Sequence, residues 1–381
     1  MRRLSTLTKI VILFITLSVA CKEAYVPPII SSNNRYLVVE GFINNGADST
    51  QFHLTRSYKL DDSASLQPEL HAILNIEGKD NSSYPLVELG SGYYACPGLA
   101  LNNAIKYRLH IRTSDGKQYL SDFVELKTSP PIDSISWVRN NDGLQIYCNA
   151  HDDQGTSRYY RFQYDETWQF NAVFYSGLEY VHDSLRNRAV NNMFTCWKTV
   201  SSTNILLAST AKLSKDVVQF PVVLVPSNSW MISIKYSIIV RQYVLTPDAY
   251  DFWSNLQKNS EQIGSLFSPE PFQSRGNIHS VSDSNELVIG YVSAGTMRQQ
   301  RIFLTPYDIP NWIYGTYEDG CHLISIKNDP DTLQQYLSGF GYLPVDYDPT
   351  SGGGKPRVEV TFTVCADCTQ IGSNTKPYFW P

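Results

Sequence analysis

Cysteine is the residue type through which this sequence could do chemistry. Seven are present, and Cys365-Ala366-Asp367-Cys368 places two of them at the Cys-x-x-Cys spacing. Three chemistries use that spacing. A redox dithiol wants a helix opening just after a strand, because a helix N-terminus lowers a thiol pKa. Val358, Val360, Phe362 and Val364 alternate as a strand would, but Thr369 to Asn374 reads as a loop. A zinc site needs two further ligands, for which Cys321 and His322 are the obvious source. A structural disulfide needs only a partner and an oxidising compartment. The disulfide is the favoured reading, joining Cys321 to Cys365 or Cys368 and so tying the C-terminal strand to an earlier loop. With Cys21 set aside, Cys96, Cys148, Cys196, Cys321, Cys365 and Cys368 form an even set, as expected of an exported protein.

Other chemistry-bearing patterns are missing from the chain. There is no Gly-x-Ser-x-Gly elbow to expose a nucleophile and no His-Glu-x-x-His pair to hold zinc. Gly352-Gly353-Gly354-Lys355 is followed by Pro356 rather than the Ser or Thr of a phosphate loop. Asp152-Asp153 and Asp165-Glu166 lack the spacing of a calcium loop and fit surface turns. We therefore assign no catalytic residue, cofactor or metal, and expect a protein that is not an enzyme. Lys and Arg number 31 against 36 Asp and Glu, with no long basic block, which excludes a nucleic-acid binder.

Cys21 belongs to different chemistry. Arg2, Arg3 and Lys9 precede a short apolar run, Ile10 to Ala20, and small residues lead to the cysteine in Leu17-Ser18-Val19-Ala20-Cys21. The run is about half of the roughly 20 residues that span a bilayer, so it reads as a cleaved signal peptide. The junction has the form of a lipobox, with Ser18 where Leu is more usual. Residues 1–20 are expected to be removed and Cys21 to carry the lipid. Acyl chains at about 0.8 kcal/mol per buried methylene would hold the protein durably on a membrane. Cleavage takes away three basic and no acidic side chains, leaving a chain more acidic than the formal −5 of the whole.

The elements that must position these residues are mostly strands. Residues 21–34 lack periodicity and read as a tether. Tyr107, Leu109 and Ile111 alternate with Arg108, His110 and Arg112, and Asp115-Gly116 then marks a hairpin. Similar segments at 36–43, 51–58, 72–77 and 118–126 predict an N-terminal immunoglobulin-like β-sandwich over 35–130. Ser129-Pro130-Pro131 marks a junction. Beyond it, Ile232, Ile234, Tyr236, Ile238 and Val240 alternate, predicting a larger β-rich domain over 131–381. The fold class is thus mainly β, and the 25 tyrosines suit sheets. One helix is expected near 247–263: Thr246-Pro247-Asp248 supplies an N-cap, a proline at the first turn and an acid at the dipole. Ala249, Phe252, Trp253, Leu256 and Ile263 mark its buried face. Tyr342 to Pro356 reads as a flexible loop. Tyr93-Tyr94, Tyr159-Tyr160 and Trp312 to Tyr317 are aromatic candidates for ligand contact, although core packing explains most of them.

In order along the chain, several pieces resemble a family of Bacteroidota envelope lipoproteins catalogued as domain of unknown function 4249. They are Leu37-Val38-Val39-Glu40-Gly41, Ile132-Asp133-Ser134-Ile135, Tyr250-Asp251-Phe252-Trp253, Gly276-Asn277-Ile278 and Gly290-Tyr291-Val292. The ending Cys365-Ala366-Asp367-Cys368 and Gly372 to Trp380 looks most like the family, with Tyr378 where a smaller polar residue is expected. The resemblance implies an outer-membrane lipoprotein, and carries over no catalytic residues. It implies a TonB-dependent receptor as partner in the capture of a peptide or glycan nutrient. Lys22-Glu23 is a partial surface-export signal, which slightly favours the outer face. Asp62-Ser63-Ala64, Asp133-Ser134-Ile135, Asp183-Ser184-Leu185 and Asp331-Thr332-Leu333 resemble that phylum's O-glycosylation sites. The function expected is a binding or accessory protein. An envelope hydrolase with a site assembled from distant residues, or a purely structural envelope protein, are the alternatives.

Overall fold

The computed structural model describes residues 35–57, 67–261, 275–315, 317–318, 320–349 and 356–381. The signal segment, Cys21, the tether, Asp62-Ser63-Ala64, residues 262–263 of the expected helix and the Gly352–Lys355 run lie outside the described residues. Residues Tyr36–Pro381 form one unit by their contacts.

The protein is mainly β. Its first sheet begins with Leu37–Asn44, which places Leu37, Val39 and Ile43 inside and Glu40 outside. Asn44 then turns the chain: its backbone N–H donates to Thr50 Oγ1 at 2.9 Å and its side-chain amide to Asp48 O at 2.8 Å. Thr50–Arg56 returns antiparallel. Ser83–Gly90 joins two parts of the sheet, pairing first with Ile73–Gly78 and then with Tyr93–Cys96. The expected Asp115-Gly116 hairpin is present, with Gly116 at φ +86°.

This sheet recruits residues beyond the junction expected near 130. Val288–Ile289 and Ser293–Gly295 run parallel to Leu37–Asn44, and Ile278–Ser280 pairs with Gln118–Ser121. Two of the family-like pieces make that return fit. At Gly276 a Cβ would sit 1.6 Å from Gly290 O, and Gly290 itself lies at φ +139° with its own missing Cβ 2.2 Å from Val39 O. Only glycine allows backbones so close. Between them, Asn277 donates to Val292 O at 2.9 Å and accepts from Val292 N at 2.8 Å.

A central sheet is built on Tyr159–Asn171 and Lys235–Val244, with Thr195–Ser201, Leu206–Ser209 and Arg298–Leu304 beside them. The three-stranded sheet Ile132–Arg139, Gly143–His151 and Val217–Pro226 shares its core, in which Leu144, Ile146, Tyr160, Phe162, Tyr236 and Ile238 are all fully buried. The helix Pro247–Glu261 lies against Tyr159–Asn171 and Leu206–Ser209 of the central sheet. Thr246 Oγ1 accepts from Ala249 N at 3.2 Å, the cap its sequence foretells. Ala249 and Phe252 face inward, and Trp253 stacks on the Arg161 guanidinium at 3.7 Å.

A last sheet joins Ile324–Lys327, Arg357–Phe362 and Tyr342–Tyr347. Of the flexible loop expected from Tyr342 to Pro356, the part Tyr342–Tyr347 is this third strand instead, and residues 350–355 lie outside the described residues. A register shift between Pro344 and Asp346 breaks its alternation, which hides the strand from a period-two reading.

Candidate binding cleft

Two tight turns and a loop form a cleft of about 360 Å³, lined by Arg139, Asn140, Asn141, Ser227, Asn228, Trp312 and Ile313. The first turn closes the hairpin between Ile132–Arg139 and Gly143–His151. Asn140 Oδ1 accepts from the N–H groups of Asp142 and Gly143, both at 2.9 Å, which is the local bond that makes Asn a turn former. The second turn follows Val217–Pro226: Ser227 N donates to Asp142 O at 2.8 Å, so the turns are bonded side by side. Asn228 takes φ +65°, a conformation Asn tolerates better than most residues.

The loop is tied to both. Gly315 N donates to Asn228 O at 3.0 Å, and Arg139 Nη1 donates to Pro310 O. Upstream, Thr305 and Asp308 cap the short turn Pro306–Asp308 reciprocally, with Thr305 N to Asp308 Oδ2 at 2.7 Å. Ile309 and Trp312 plug the loop into the central core.

The lining is polar, and much of it is unspent. Among the described residues, the side chains of Asn141, Asn228 and Ser227 have no hydrogen-bond partner, and Asn140 has committed only its carbonyl oxygen. The Trp312 indole N–H is buried without a partner. A volume of this size lies at the lower end for small-molecule sites. Among the described residues, no carboxylate, histidine or cysteine lines the cleft. Its groups donate and accept hydrogen bonds, and that is the chemistry of binding.

The cysteines chosen from sequence lie elsewhere. Cys321 is bonded to Cys365, and Cys368 to Cys196. The Cys-x-x-Cys therefore does not close on itself; its members staple two different segments to one turn. Cys196 was not foreseen as a partner, since nothing local distinguishes it from Cys96 or Cys148. Those two are free and buried in separate cores. Burial pushes the Cys148 thiol up to about 12, and that of Cys96 up as well, which leaves both unreactive as thiols. Among the described residues no cluster of His, Cys, Asp and Glu is placed to hold a metal ion. His322 Nδ1 donates to Gly320 O at 2.9 Å.

Of the aromatic candidates, Tyr94 and Tyr160 are core, Tyr93 stacks on His53 and Tyr159 packs on Tyr250. Only the segment from Trp312 reaches the cleft. The polar lining itself went unforeseen: Asn140 to Gly143 and Ser227 to Ser229 look like turns, and no periodicity says that two turns will face each other.

A model of the family described as Domain of unknown function (DUF4249) matches residues 22–301. No curated protein matches the chain.

Proposed function

The chain belongs to the DUF4249 family, and from that premise we propose an outer-membrane lipoprotein, anchored through acylated Cys21, that binds a small polar ligand beside a TonB-dependent transporter. The ligand class is a peptide or a glycan. The observation that carries the binding reading is the cleft between the Asn140 and Asn228 turns, in which the side-chain amides of Asn141 and Asn228 have no partner among the described residues. These amides are exposed, so an incoming ligand would exchange their bonds to water for bonds to its own donors and acceptors.

Two disulfides support the envelope location, because such bridges persist in oxidising compartments. The lipobox-like junction at Cys21 supports the anchor. Rigid sheets with a polar cleft at their turns suit a protein that presents a ligand rather than transforms it.

Capture of the full-length protein from detergent-solubilised native membranes tests the partnership. A TonB-dependent receptor should co-purify in stoichiometric amount, and Cys21→Ala should move the protein to the soluble fraction. Recovery of the protein alone from intact membranes overturns the transporter reading. A Cys21→Ala protein that stays in the membrane overturns the anchor.

A further inference from the structure

Resting on the reading of this cleft as a ligand site, we propose that it takes the free carboxylate end of a short peptide. Among the described residues of the lining, Arg139 carries the only formal charge. One arm of its guanidinium donates to Pro310 O, which ties the group to the loop, and its other N–H groups have no partner among the described residues. A guanidinium held this way offers a planar fork that matches the two oxygens of a carboxylate. Among the described residues no acidic side chain lines the cleft to compete for it.

The amides around Arg139 extend the match. Asn140 has spent its carbonyl on its own turn and so presents only an NH2 group. Asn141 and Asn228 each retain a donor and an acceptor, the pair of functions that a peptide N–H and C=O require. Ile313 is 71% exposed and gives an aliphatic surface for a terminal side chain. Trp312 is only 8% exposed, too little for a sugar ring to stack on its face, and this favours the peptide over a glycan.

Saturation-transfer NMR on the full-length protein in detergent tests the assignment. The probes are three: tripeptides Ala-Ala-Xaa with a free C-terminus, the same set amidated, and maltotriose. Calorimetry then measures affinities. The free acids should bind, and the amidated set about tenfold or more weaker, the usual weight of a charge-assisted bond. Arg139→Gln should weaken the free acids to the level of the amides and abolish the preference. Asn141→Ala should weaken both sets. Since Arg139 and Asn141 are exposed, both variants should keep the parent melting temperature.

Equal binding of acids and amides, or an Arg139→Gln protein that still prefers acids, overturns the carboxylate assignment. Maltotriose binding that Asn141→Ala weakens, with no peptide binding, also overturns it but leaves the cleft as the ligand site. Binding that neither variant changes, or no binding by any probe, removes both.

Discussion

The first sheet and the C-terminal sheet are held together by different means. In the first, Leu37, Phe52, Leu54, Leu74, Ile76, Tyr94, Tyr107, Leu109, Ile111 and Tyr119 are all essentially inaccessible, and its one cysteine, Cys96, is a free thiol. Among the described residues, the C-terminal sheet has a small buried cluster of Leu178, Ile326, Leu333, Val358 and Val360. Both disulfides meet in its turn at Cys365–Cys368. Apolar burial stabilises by roughly 25 cal/mol per Å², so a small cluster leaves little margin over the entropy of ordering its chain. Cross-links compensate by restricting the unfolded chain instead. The Cys321–Cys365 bridge thus lies beside the smallest core, while Cys196–Cys368 ties the same turn to the large central core.

The largest expected effect breaks that compensation. Cys196 and Cys368 are 172 residues apart, and Cys321 and Cys365 are 44 apart. On the chain-entropy account, losing the first bridge costs about 5 kcal/mol and losing the second about 4 kcal/mol. Urea denaturation of the Cys196→Ser/Cys368→Ser and Cys321→Ser/Cys365→Ser proteins measures both. The reverse order would defeat the loop-length explanation. Hydrogen exchange on the reduced protein should show protection lost around Ile324–Lys327 and Arg357–Phe362 and kept at Ile73–Gly78; equal loss would show that the two regions do not differ.

Leu74→Ala probes the other side. It opens a cavity in a fully buried site and should cost about 3 kcal/mol, by the same amount in oxidised and reduced protein. A cost that changes with reduction would mean that the first sheet leans on the bridges.

The central sheet offers a smaller test, on a polar pair buried within its apolar core. Burial raises the Glu166 carboxyl above its ordinary value, although the Tyr236 hydroxyl donates to it at 2.7 Å and opposes the shift. An acid raised on folding costs stability where it is ionised, so the cost is present at neutral pH and vanishes as pH falls below the ordinary glutamate range. Glu166→Gln keeps an acceptor for Tyr236. It should raise the melting temperature at about pH 7 and lose that advantage by about pH 4, as calorimetry would read. An advantage independent of pH would point to packing.

Smallest is the exposed pair on the hairpin Leu178–Val181 and Ser184–Asn187. Arg186 Nε meets Glu179 at 2.6 Å, but the arginine is 61% exposed. Arg186→Ala should cost no more than about 0.5 kcal/mol in thermal denaturation. A larger cost would show that this hairpin adds to the small C-terminal core.

Much of this could be read along the chain. Alternation at Tyr107 to Arg112 and at Tyr236 to Val240 gives strands because a pleat sends neighbours to opposite faces. Thr246-Pro247-Asp248 starts the helix because capping is a contact over three residues. Tyr342–Tyr347 escaped because its bulge spoils the period. The return of Ile278 to Gly295 to the first sheet escaped because each strand there is too short to carry a period at all.

Local order therefore belongs to the sequence by itself: the mainly β character, the capped helix and the turn at Asp115-Gly116. Their causes act within a few residues, and residue types report them directly. Which cysteines meet, and which turns face one another, was decided only in three dimensions. Cys196 reaches Cys368 across 172 residues, and Asn228 is brought beside Asn140 by the pairing of Gly143–His151 with Val217–Pro226. Those partners are chosen by how sheets pack, a free energy summed over the whole core, and no single segment carries it.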